Sequence, residues 1–256
     1  PLLGKSGIGH TRWATHGKPS VNNAHPHMTA EVAVVHNGII ENFQELREYL
    51  QKRGIQHTTD TDTETIALLT QAMIEDGHEP IEAAKKTIDK LTGAFALCFL
   101  FEGHNDLMVI ARKGSPLAIG IGKGEMFVGS DAIALSPMTN KISYLEEGDF
   151  AVLTRANVQV WDHSGALVER EIKTINTQNT QVQKDGYQHF MEKEIHEQPR
   201  VVSLALEYYF DPNTGKITLP DGIDINFNDF EQIYLVACGT AFYACHVAKY
   251  WFEAVS

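Results

Sequence analysis

The sequence has few cysteines, a deficit of basic residues and no long apolar run. Its three cysteines, Cys98, Cys238 and Cys245, have neither the even number nor the spacing of a disulfide framework, which favours a reduced, cytoplasmic protein. The 21 lysines and arginines are outnumbered by 33 acidic residues, which disfavours nucleic acid as a partner. The longest apolar runs, residues 94–101 and 233–238, are too short to span a bilayer, and no signal-peptide pattern is present, so we expect no membrane partner.

The composition is that of an ordinary globular protein. With 256 residues, of which 43% are hydrophobic and 21% charged, the chain is expected to bury a core in one domain, or in one domain and part of another. The net charge of −12 does not exclude a small anionic ligand, because backbone amides at a helix N-terminus bind phosphate locally.

The first third of the chain predicts one strand and then three helices. Val32–His36 is a short apolar run, and Asn37-Gly38 follows it directly. Each of the three helices has a recognisable start, two from capping-box spacing and one from a proline in the first turn: Asn42-x-x-Glu45, Thr61-x-x-Glu64 and Pro80.

Residues 93–161 have a different pattern, in which short β-rich runs are separated by glycine, asparagine and aspartate. This alternation is typical of stacked antiparallel sheets. Because helices come first and strands follow, the pattern predicts an α+β fold. The predicted strands are Ala94–Phe101, Leu107–Ala111, Leu117–Ile121, Phe127–Val128, Ile142–Leu145, Phe150–Leu153 and Val158–Trp161.

The last third predicts a linker and the start of a second domain. Residues 173–186 are rich in glutamine, asparagine and threonine, and the helix that follows should break at Pro199. A strand, Ile233–Ala237, then leads through Cys238-Gly239-Thr240 into a helix, and one such pair cannot bury its own apolar faces. We therefore expect a first domain at 1–172, a linker at 173–186 and an incomplete domain at 187–256.

The octet His10–Gly17 is the first candidate site. Arg12 offers the paired donors that bind a carboxylate, Trp13 an aromatic wall, Thr15 a hydroxyl and His16 an imidazole. The alternative is an edge strand in which the arginine stacks on the tryptophan and the histidines are solvated.

Asn37-Gly38 and Asp62 each have a structural and a functional interpretation. Asn-Gly is the leading dipeptide of two-residue hairpin turns, but the segment after it predicts a helix and not a second strand. The functional interpretation is that the asparagine amide and the glycine N–H together bind an oxyanion. Asp62 stands where the free amides of a helix N-terminus favour a carboxylate, and the same carboxylate is suited to a substrate ammonium group.

Five histidines between residues 10 and 36 raise the hypothesis of a metal site centred on His25-Pro26-His27. A catalytic zinc needs three protein ligands with supporting carboxylates, and no acidic residue nearby has metal-motif spacing. We therefore expect no metal and no other cofactor.

Cys238-Gly239-Thr240 lies where a predicted strand meets a predicted helix. Amides and hydroxyls at such a turn are donors for a phosphate group. The competing interpretation is a cysteine nucleophile with a lowered pKa, although no histidine or acid partner is evident in the sequence.

Taken in order, these motifs resemble the glucosamine-6-phosphate synthase family, the isomerising glutamine–fructose-6-phosphate aminotransferases. The early motifs are shared with related amidotransferases, and the later ones narrow the resemblance to this family. The motifs are His10–Gly17, Asn22–His27, His36–Asn42, Thr61–Glu64, Ser130-Asp131, Leu145–Asp149, Met191–Pro199 and Ala237–Thr240.

The resemblance implies a four-layer α-β-β-α fold of the N-terminal-nucleophile hydrolase type, followed by the beginning of an α/β sugar isomerase domain. In this family a first-residue cysteine attacks the side-chain amide of L-glutamine. The ammonia then aminates D-fructose 6-phosphate to give D-glucosamine 6-phosphate in amino-sugar biosynthesis. The resemblance also implies a cytoplasmic transferase that forms a homodimer through its isomerase domain.

The resemblance also implies roles for individual residues. Arg12 would bind the glutamine carboxylate and Asp62 the α-ammonium group, Trp13 would gate ammonia transfer, and Asn37 with the Gly38 amide would form the oxyanion hole. The implied sets are Arg12, Trp13, Thr15, His16 and Asp62 for glutamine, Asn37 and Gly38 for the oxyanion, and Cys238, Gly239 and Thr240 for the phosphosugar.

The sequence departs from the family in three places. The N-terminal segment with its cysteine nucleophile is absent, the isomerase part ends after its first helix, and Ala241 stands where serine is common. Because covalent catalysis needs its attacking atom, we expect this chain by itself to be inactive. The alternative is a non-catalytic glutamine-binding module, and a metallohydrolase is a third interpretation.

Overall fold

Two units, Pro1–Val182 and Gln183–Ser256, make up the computed structural model, which describes residues 4–175, 184–211, 214–217, 225–226 and 229–255. The first unit contains eleven strands and four helices among its described residues. In chain order these are β1 (His27–Met28), β2 (Val32–Ile40), α1 (Phe43–Lys52), α2 (Asp62–Glu75), α3 (Pro80–Ile88), β3 (Gly93–Phe101), β4 (Met108–Lys113), β5 (Ala118–Ile121), β6 (Met126–Gly129), α4 (Ala132–Leu135), β7 (Lys141–Tyr144), β8 (Phe150–Leu153), β9 (Val158–Trp161), β10 (Leu167–Val168) and β11 (Ile172–Thr174).

Two antiparallel sheets form the centre of the first unit. The larger has the strand order β1-β2-β3-β4-β8-β9-β10, and the smaller has the order β11-β7-β5-β6. Alternate side chains of β3 serve two cores, because successive residues of a strand point to opposite faces. Phe95 and Leu97 belong to the core that includes buried residues of α1–α3, whereas Ala96 and Cys98 belong to the core that includes buried residues of β5.

A third, small core lies beneath α4 and contains Ala118, Leu135 and Ile142. The sequence of layers is therefore helices, larger sheet, smaller sheet and helix. The α+β class and the four-layer α-β-β-α arrangement expected for the first unit are confirmed, with α4 as the described part of the outer helical layer.

Strand prediction was accurate where apolar runs end at turn residues. The predicted strands Phe150–Leu153 and Val158–Trp161 match β8 and β9. The prediction for β2 was too short, since β2 continues beyond His36 to Ile40 and pairs with β3 along all nine residues. Asn37-Gly38 is thus neither a turn nor the end of a strand.

All three predicted helix starts are confirmed, since α1 follows Asn42, α2 follows Thr61 and α3 begins at Pro80. The Thr61 side chain caps α2 by accepting a hydrogen bond from the Glu64 amide, and Pro80 is in the first turn of α3. Asn42 is the N-cap residue of α1, but its side chain does not make the capping hydrogen bond that the spacing predicted. Its side chain donates to the Lys90 carbonyl at 2.8 Å and accepts from the Thr92 amide at 3.0 Å, so it fastens the α3–β3 connection instead of capping α1.

The described part of the second unit contains α5 (Phe190–Tyr209), β12 (Phe210–Asp211), β13 (Lys216–Ile217) and α6 (Gly239–Val255). The break predicted at Pro199 was wrong, because α5 continues through this residue. Proline removes one helical hydrogen bond, here the one to the Ile195 carbonyl, and Ile195 is exposed, so water can replace that donor.

The predicted strand Ile233–Ala237 is not a strand in the structure, because no other described segment pairs with it. The predicted linker 173–186 begins within β11, since Lys173 and Thr174 pair with β7, and residues 176–183 lie outside the described residues. In the described ranges no helix is both long and apolar enough to cross a membrane.

Candidate functional site

A cavity of about 210 Å³ opens where residues 10–16, the second half of β2 and the N-terminus of α2 meet. It contains most of the candidate residues of the first unit together with several that the sequence did not single out. Its lining consists of His10, Arg12, Trp13, Thr15, His16, His25, His36, Asn37, Gly38, Ile39, Thr61, Asp62 and Thr63.

Asp62 is positioned by both elements that form the floor of the cavity. It is the first residue of α2, and its Oδ2 atom accepts a hydrogen bond of 2.8 Å from the Ile40 amide at the end of β2. The residue is only 4% exposed. The sequence thus places a carboxylate at a helix N-terminus, and the sheet fixes the direction in which it points.

The segment before α2 is held from two sides. Glu64 accepts hydrogen bonds from the backbone amides and the hydroxyls of Thr58 and Thr59. Burial raises the pKa of Glu64, but these four hydrogen bonds outweigh it and hold the pKa below its ordinary value. From α1, Arg47 donates to the carbonyls of Thr59 and Thr61. The start of α2 is therefore fixed independently of any ligand.

Arg12 organises the loop that covers the cavity. Its backbone has the left-handed φ of +58°, which is uncommon for a residue other than glycine. Its guanidinium donates to the carbonyls of Lys18, His16 and Gly17 at 3.2, 2.5 and 2.7 Å. Because a guanidinium carries five N–H groups, Nε–H and one Nη1–H remain for a ligand.

Asn23 joins this loop to the segment before α2. Its Nδ2 donates to the Lys18 carbonyl and to the Asp60 carboxylate, both at 3.1 Å, while its Oδ1 accepts from the Asp60 amide at 3.0 Å. Gly17 allows this approach, because a Cβ atom there would lie 2.8 Å from both the Asn23 Nδ2 and the Asp60 Cβ. The covering loop and the Asp62 segment therefore form one connected structure.

Two histidines behind Asp62 share one hydroxyl group. The Thr63 Oγ1 lies 3.0 Å from the His25 Nε2 and 3.1 Å from the His36 Nδ1. Burial, and then the neighbouring His10, lowers the pKa of His25 to about 3. Burial also lowers the pKa of His36 to about 4, even though Asp62 acts in the opposite direction. Both imidazoles are therefore neutral at pH 7.

Asp62 has no close lysine or arginine partner among the described residues. The Nδ1 atoms of His36 and His16 lie 3.8 and 4.0 Å from the Asp62 Oδ2, beyond hydrogen-bond distance. No lysine or arginine in the described ranges comes within 4.0 Å of this carboxylate. A buried carboxylate that faces a cavity without such a partner has the chemistry to pair with a cation.

The remaining candidates of the first unit lie around the same opening. The exposed side chain of Asn37 and the backbone of Gly38 form part of the wall next to His36, and Thr15 contributes from the covering loop. Trp13 lies at the opening with 87% of its surface exposed. The structure thus brings together all seven residues that the sequence proposed for glutamine and the oxyanion.

Cys238, Gly239 and Thr240 lie in the other unit, at the start of α6, where Cys238 is exposed. They do not line the cavity described above. Across the described residues, no group of three or more histidine, cysteine or acidic side chains has the arrangement needed to hold a metal ion.

The cavity lining includes no cysteine. Cys98 is buried between the two sheets, and burial raises the pKa of its thiol to about 12, so it is not a nucleophile at neutral pH. The described residues that line the cavity therefore include hydrogen-bond donors and a carboxyl group, but no thiol.

Sequence reasoning did not assign His25, His36, Thr61 and Thr63 to a pocket, although the alternation of threonine and acid in residues 58–65 was visible. The fold explains this alternation, because successive residues either hold the helix start or face the cavity. The histidines, which the sequence offered as metal ligands, instead lie behind Asp62 and hydrogen-bond to threonines.

Comparison with known proteins agrees with this geometry. The family model of the glutamine amidotransferase domain matches residues 10–137, half of the chain. The chain belongs to the glutamine amidotransferase family. The matched part contains every residue that lines the cavity and both elements that position Asp62.

Curated relatives of this amidotransferase chain have one name in common. Proteins called glutamine–fructose-6-phosphate aminotransferase (isomerizing) from Bradyrhizobium diazoefficiens and Zymomonas mobilis are 56% and 51% identical to it over 253 residues. A protein with the same name from Caulobacter vibrioides is 48% identical over 256 residues. The chain covers 42% of the length of each of these relatives, while the alignments include 99–100% of the chain itself.

A solved structure shows the same fold. The glutamine phosphoribosylpyrophosphate amidotransferase of B. subtilis, complexed with ADP and GMP, superposes with a TM-score of 0.50 at 24% sequence identity. The superposition covers 62% of this chain and 35% of the other protein. The expected amidotransferase fold of the N-terminal-nucleophile hydrolase type is therefore confirmed for the first unit.

Proposed function

We propose that this chain binds L-glutamine in the cavity between residues 10–16, β2 and the N-terminus of α2. We further propose that it is the glutamine-binding part of an isomerising glutamine–fructose-6-phosphate aminotransferase, a transferase of amino-sugar biosynthesis. The names of its relatives support this activity, and the amidotransferase family supports the ligand.

The observation that carries the proposal is the buried Asp62 carboxylate without a close cationic side chain. An α-ammonium group in the cavity would supply the missing positive charge. One carboxylate oxygen already accepts the Ile40 amide, so the ammonium is directed to the other oxygen, Oδ1. Charge-assisted hydrogen bonds of this kind are about twice as strong as neutral ones.

Arg12 is proposed as the partner of the glutamine carboxylate. Three of its N–H groups hold the covering loop, and the Nε–H and one Nη1–H, which lie on different edges of the guanidinium, remain to donate to a carboxylate. Thr15 and His16 line the same side of the cavity and would complete the glutamine site, with Trp13 at its opening as the gate for ammonia.

Asn37 and the Gly38 amide are proposed as the oxyanion hole, since both lie in the wall of the cavity. Because none of the three cysteines lines this cavity, the chain by itself would bind glutamine without cleaving it. That observation also favours the second candidate function, a glutamine-binding module without catalysis.

For the second unit we propose the beginning of a sugar isomerase domain at residues 187–256, after a linker at 173–186 and a glutaminase domain at 1–172. Cys238, Gly239 and Thr240 would bind the phosphate of D-fructose 6-phosphate, and α6 begins at this sequence, as such a loop requires. A cytoplasmic homodimer that assembles through this domain completes the proposal.

Calorimetry tests the binding part directly. We expect the native chain to bind L-glutamine, and we expect the Arg12→Ala variant to bind at least about tenfold more weakly through loss of the charged bonds. An ammonia-release assay on the same samples should show no hydrolysis. Absence of glutamine binding by a folded native chain would refute the proposed site, and ammonia release would refute the inactivity of the chain.

A further inference from the structure

The Thr63 hydroxyl lies next to two histidines, of which His36 is buried and His25 is half-buried. It follows Asp62 in the first turn of α2 and contacts both the His25 Nε2 and the His36 Nδ1. A hydroxyl has one proton to donate, so it donates to one of these imidazoles and accepts from the other. With both neighbours engaged, the Thr63 side chain has little freedom to rotate.

His36 has two polar neighbours within reach of the same nitrogen. Its Nδ1 lies 3.1 Å from the Thr63 Oγ1 and 3.8 Å from the Asp62 Oδ2. The first distance is a hydrogen bond and the second is not. The Nε2 atom of His36 is buried and has no hydrogen-bond partner in the described part of the chain. Thr63 is therefore the only described side chain within hydrogen-bond distance of the His36 Nδ1.

We propose that Thr63 is a positioning residue, whose hydroxyl holds His36 away from Asp62 and so leaves the carboxylate free for a ligand ammonium group. The role of Thr63 toward an ammonium group rests on the proposed glutamine binding, whereas its role toward His36 does not. If the hydroxyl were absent, an N–H at the His36 Nδ1 would have the Asp62 carboxylate as an acceptor 3.8 Å away.

An Asp62–His36 hydrogen bond would weaken the site in two ways. It would stabilise the protonated imidazole, because an adjacent carboxylate raises a histidine pKa. It would also neutralise the charge that the cavity offers to a ligand. In the present structure burial dominates and keeps the pKa of His36 low, at about 4.

Several other polar and titratable groups face His36 and Asp62. His36 faces Asp62 and Thr63 of α2, the Ala94 carbonyl of β3, and His10 and His16 of the covering loop. Asp62 faces the Ile40 amide of β2 as well as His16 and His36, with Arg47 and His27 further away. None of these other side chains hydrogen-bonds to the His36 Nδ1 among the described residues, so Thr63 is the residue to change.

The decisive variant is Thr63→Val, which has nearly the same shape and no hydroxyl. Histidine NMR titration of the ligand-free chain should show the His36 titration midpoint raised by at least about one pH unit, a tenfold change in proton affinity. Calorimetry should show a glutamine affinity that falls below the native value as the pH is lowered from 7 to the raised His36 midpoint, by about twofold there, because half of the imidazoles are then charged. A purely structural role would not move the His36 titration.

Two further variants make the result specific. Thr63→Ser keeps the hydroxyl and should retain the native titration and affinity. Thr70→Val removes a buried hydroxyl of the same helix, which bonds to Ile66 and Thr87, and should leave both readouts unchanged. If Thr63→Val does not fold, Thr63→Ala removes the same hydroxyl without added bulk.

An unchanged His36 midpoint in folded Thr63→Val or Thr63→Ala overturns the proposal. Should the native chain fail to bind glutamine, the proposed function is wrong, while the ligand-free titration still decides whether Thr63 separates His36 from Asp62. A raised midpoint with unchanged glutamine affinity would overturn the role toward the ammonium group.

Discussion

The Asp62 carboxylate accepts a hydrogen bond of 2.8 Å from the Ile40 amide, so the last residue of β2 fixes the first residue of α2. This bond occupies Oδ2 and leaves Oδ1 for a ligand. An asparagine at this position would keep the hydrogen bond, because its side-chain oxygen accepts the same amide proton, and would remove only the carboxylate charge.

Asp62→Asn should therefore remove ligand affinity with little loss of stability. We expect the dissociation constant for L-glutamine to rise by about 10- to 100-fold, as for loss of one charge-assisted hydrogen bond. Calorimetry with glutaramic acid, which is glutamine without the α-amino group, provides the second half of a double-mutant cycle. This analogue should bind the native chain and the variant equally weakly.

Asp76→Asn is the matched control, since Asp76 pairs with Arg53 on the surface, away from the cavity. It should leave the affinity for glutamine unchanged. Equal losses of glutamine and glutaramic acid affinity in Asp62→Asn would show that Asp62 does not contact the ammonium group.

Arg12 is expected to have two functions that a pair of ligands can separate. Arg12→Ala removes three hydrogen bonds to the covering loop as well as the proposed carboxylate contact. Glutamine affinity should fall by at least about tenfold, whereas affinity for γ-aminobutyramide, which lacks the carboxylate, should fall less. Hydrogen exchange of residues 16–18 should become faster in the variant, because their carbonyls lose their donor.

If both ligands lose the same affinity, Arg12 only organises the loop. Asn23→Ala is the comparison variant, because it releases the same loop from Asp60 without touching the guanidinium. It should speed hydrogen exchange and weaken both ligands to a similar extent.

The sequence predicted the sheets well because their pattern is local. Apolar runs bounded by turn residues define β8 and β9, and the Thr61 cap with Glu64 defines the start of α2. Each of these signals acts within a few residues, so no knowledge of distant contacts was needed.

Two of the differences between prediction and structure depend on distant partners, and the one at Pro199 depends on exposure to water. Asn42 has cap spacing, but the α3–β3 connection offers its side chain two backbone groups and takes it away from α1. Asn37-Gly38 has hairpin composition, but nine-residue pairing with β3 extends the strand through it. Pro199 remains inside a helix because the carbonyl that it leaves free is at the surface.

In the candidate site, too, local features were predicted and contacts between distant residues were not. The charged and amide groups Arg12, Asn37 and Asp62 were found because their chemistry is visible in the sequence. Thr63, His25 and His36 were not assigned to the site. Their arrangement depends on the Thr63 hydroxyl, which lies 38 positions from His25 and 27 positions from His36 in the sequence. Such a contact is a property of the fold and not of any short motif.

The buried histidines should make the first unit sensitive to acid. The folded pKa of His36, about 4, lies below the ordinary value of 6.5, so the unfolded state binds a proton first as the pH falls. The contribution of neutral His36 to the free energy of unfolding is therefore fully present above pH 6.5. It decreases as the pH falls toward 4, by no more than about 1.4 kcal/mol per pH unit. His25, which is less buried, adds a smaller screened contribution in the same direction.

Urea denaturation between pH 7.5 and 4.5, followed by Trp161 fluorescence with the other two tryptophans replaced by phenylalanine, measures this slope. His36→Asn should flatten it, and His104→Asn, a change at an exposed loop, should not. A slope that His36→Asn leaves unaltered would place the acid sensitivity elsewhere in the unit.

At Gly38, in the proposed oxyanion hole, the backbone conformation requires a residue without a side chain. Its φ is +141°, and a Cβ atom there would lie 2.0 Å from the Ala94 carbonyl oxygen of the paired strand. Gly38→Ala therefore adds a backbone clash to the cost of the unusual conformation. We expect a loss of about 1–3 kcal/mol from each of these two causes.

Gly77→Ala separates the two costs, because Gly77 has a φ of +90° but no atom within 4 Å of the position of its Cβ. Urea denaturation should show Gly38→Ala to be less stable than Gly77→Ala by at least about 1 kcal/mol, since only the first variant must move β2 from β3. The same movement should weaken glutamine binding, as it displaces both Asn37 and the Ile40 amide that holds Asp62. Equal stability of the two variants would mean that β2 and β3 separate here at no cost, which the continuous register from Val32 to Ile40 argues against.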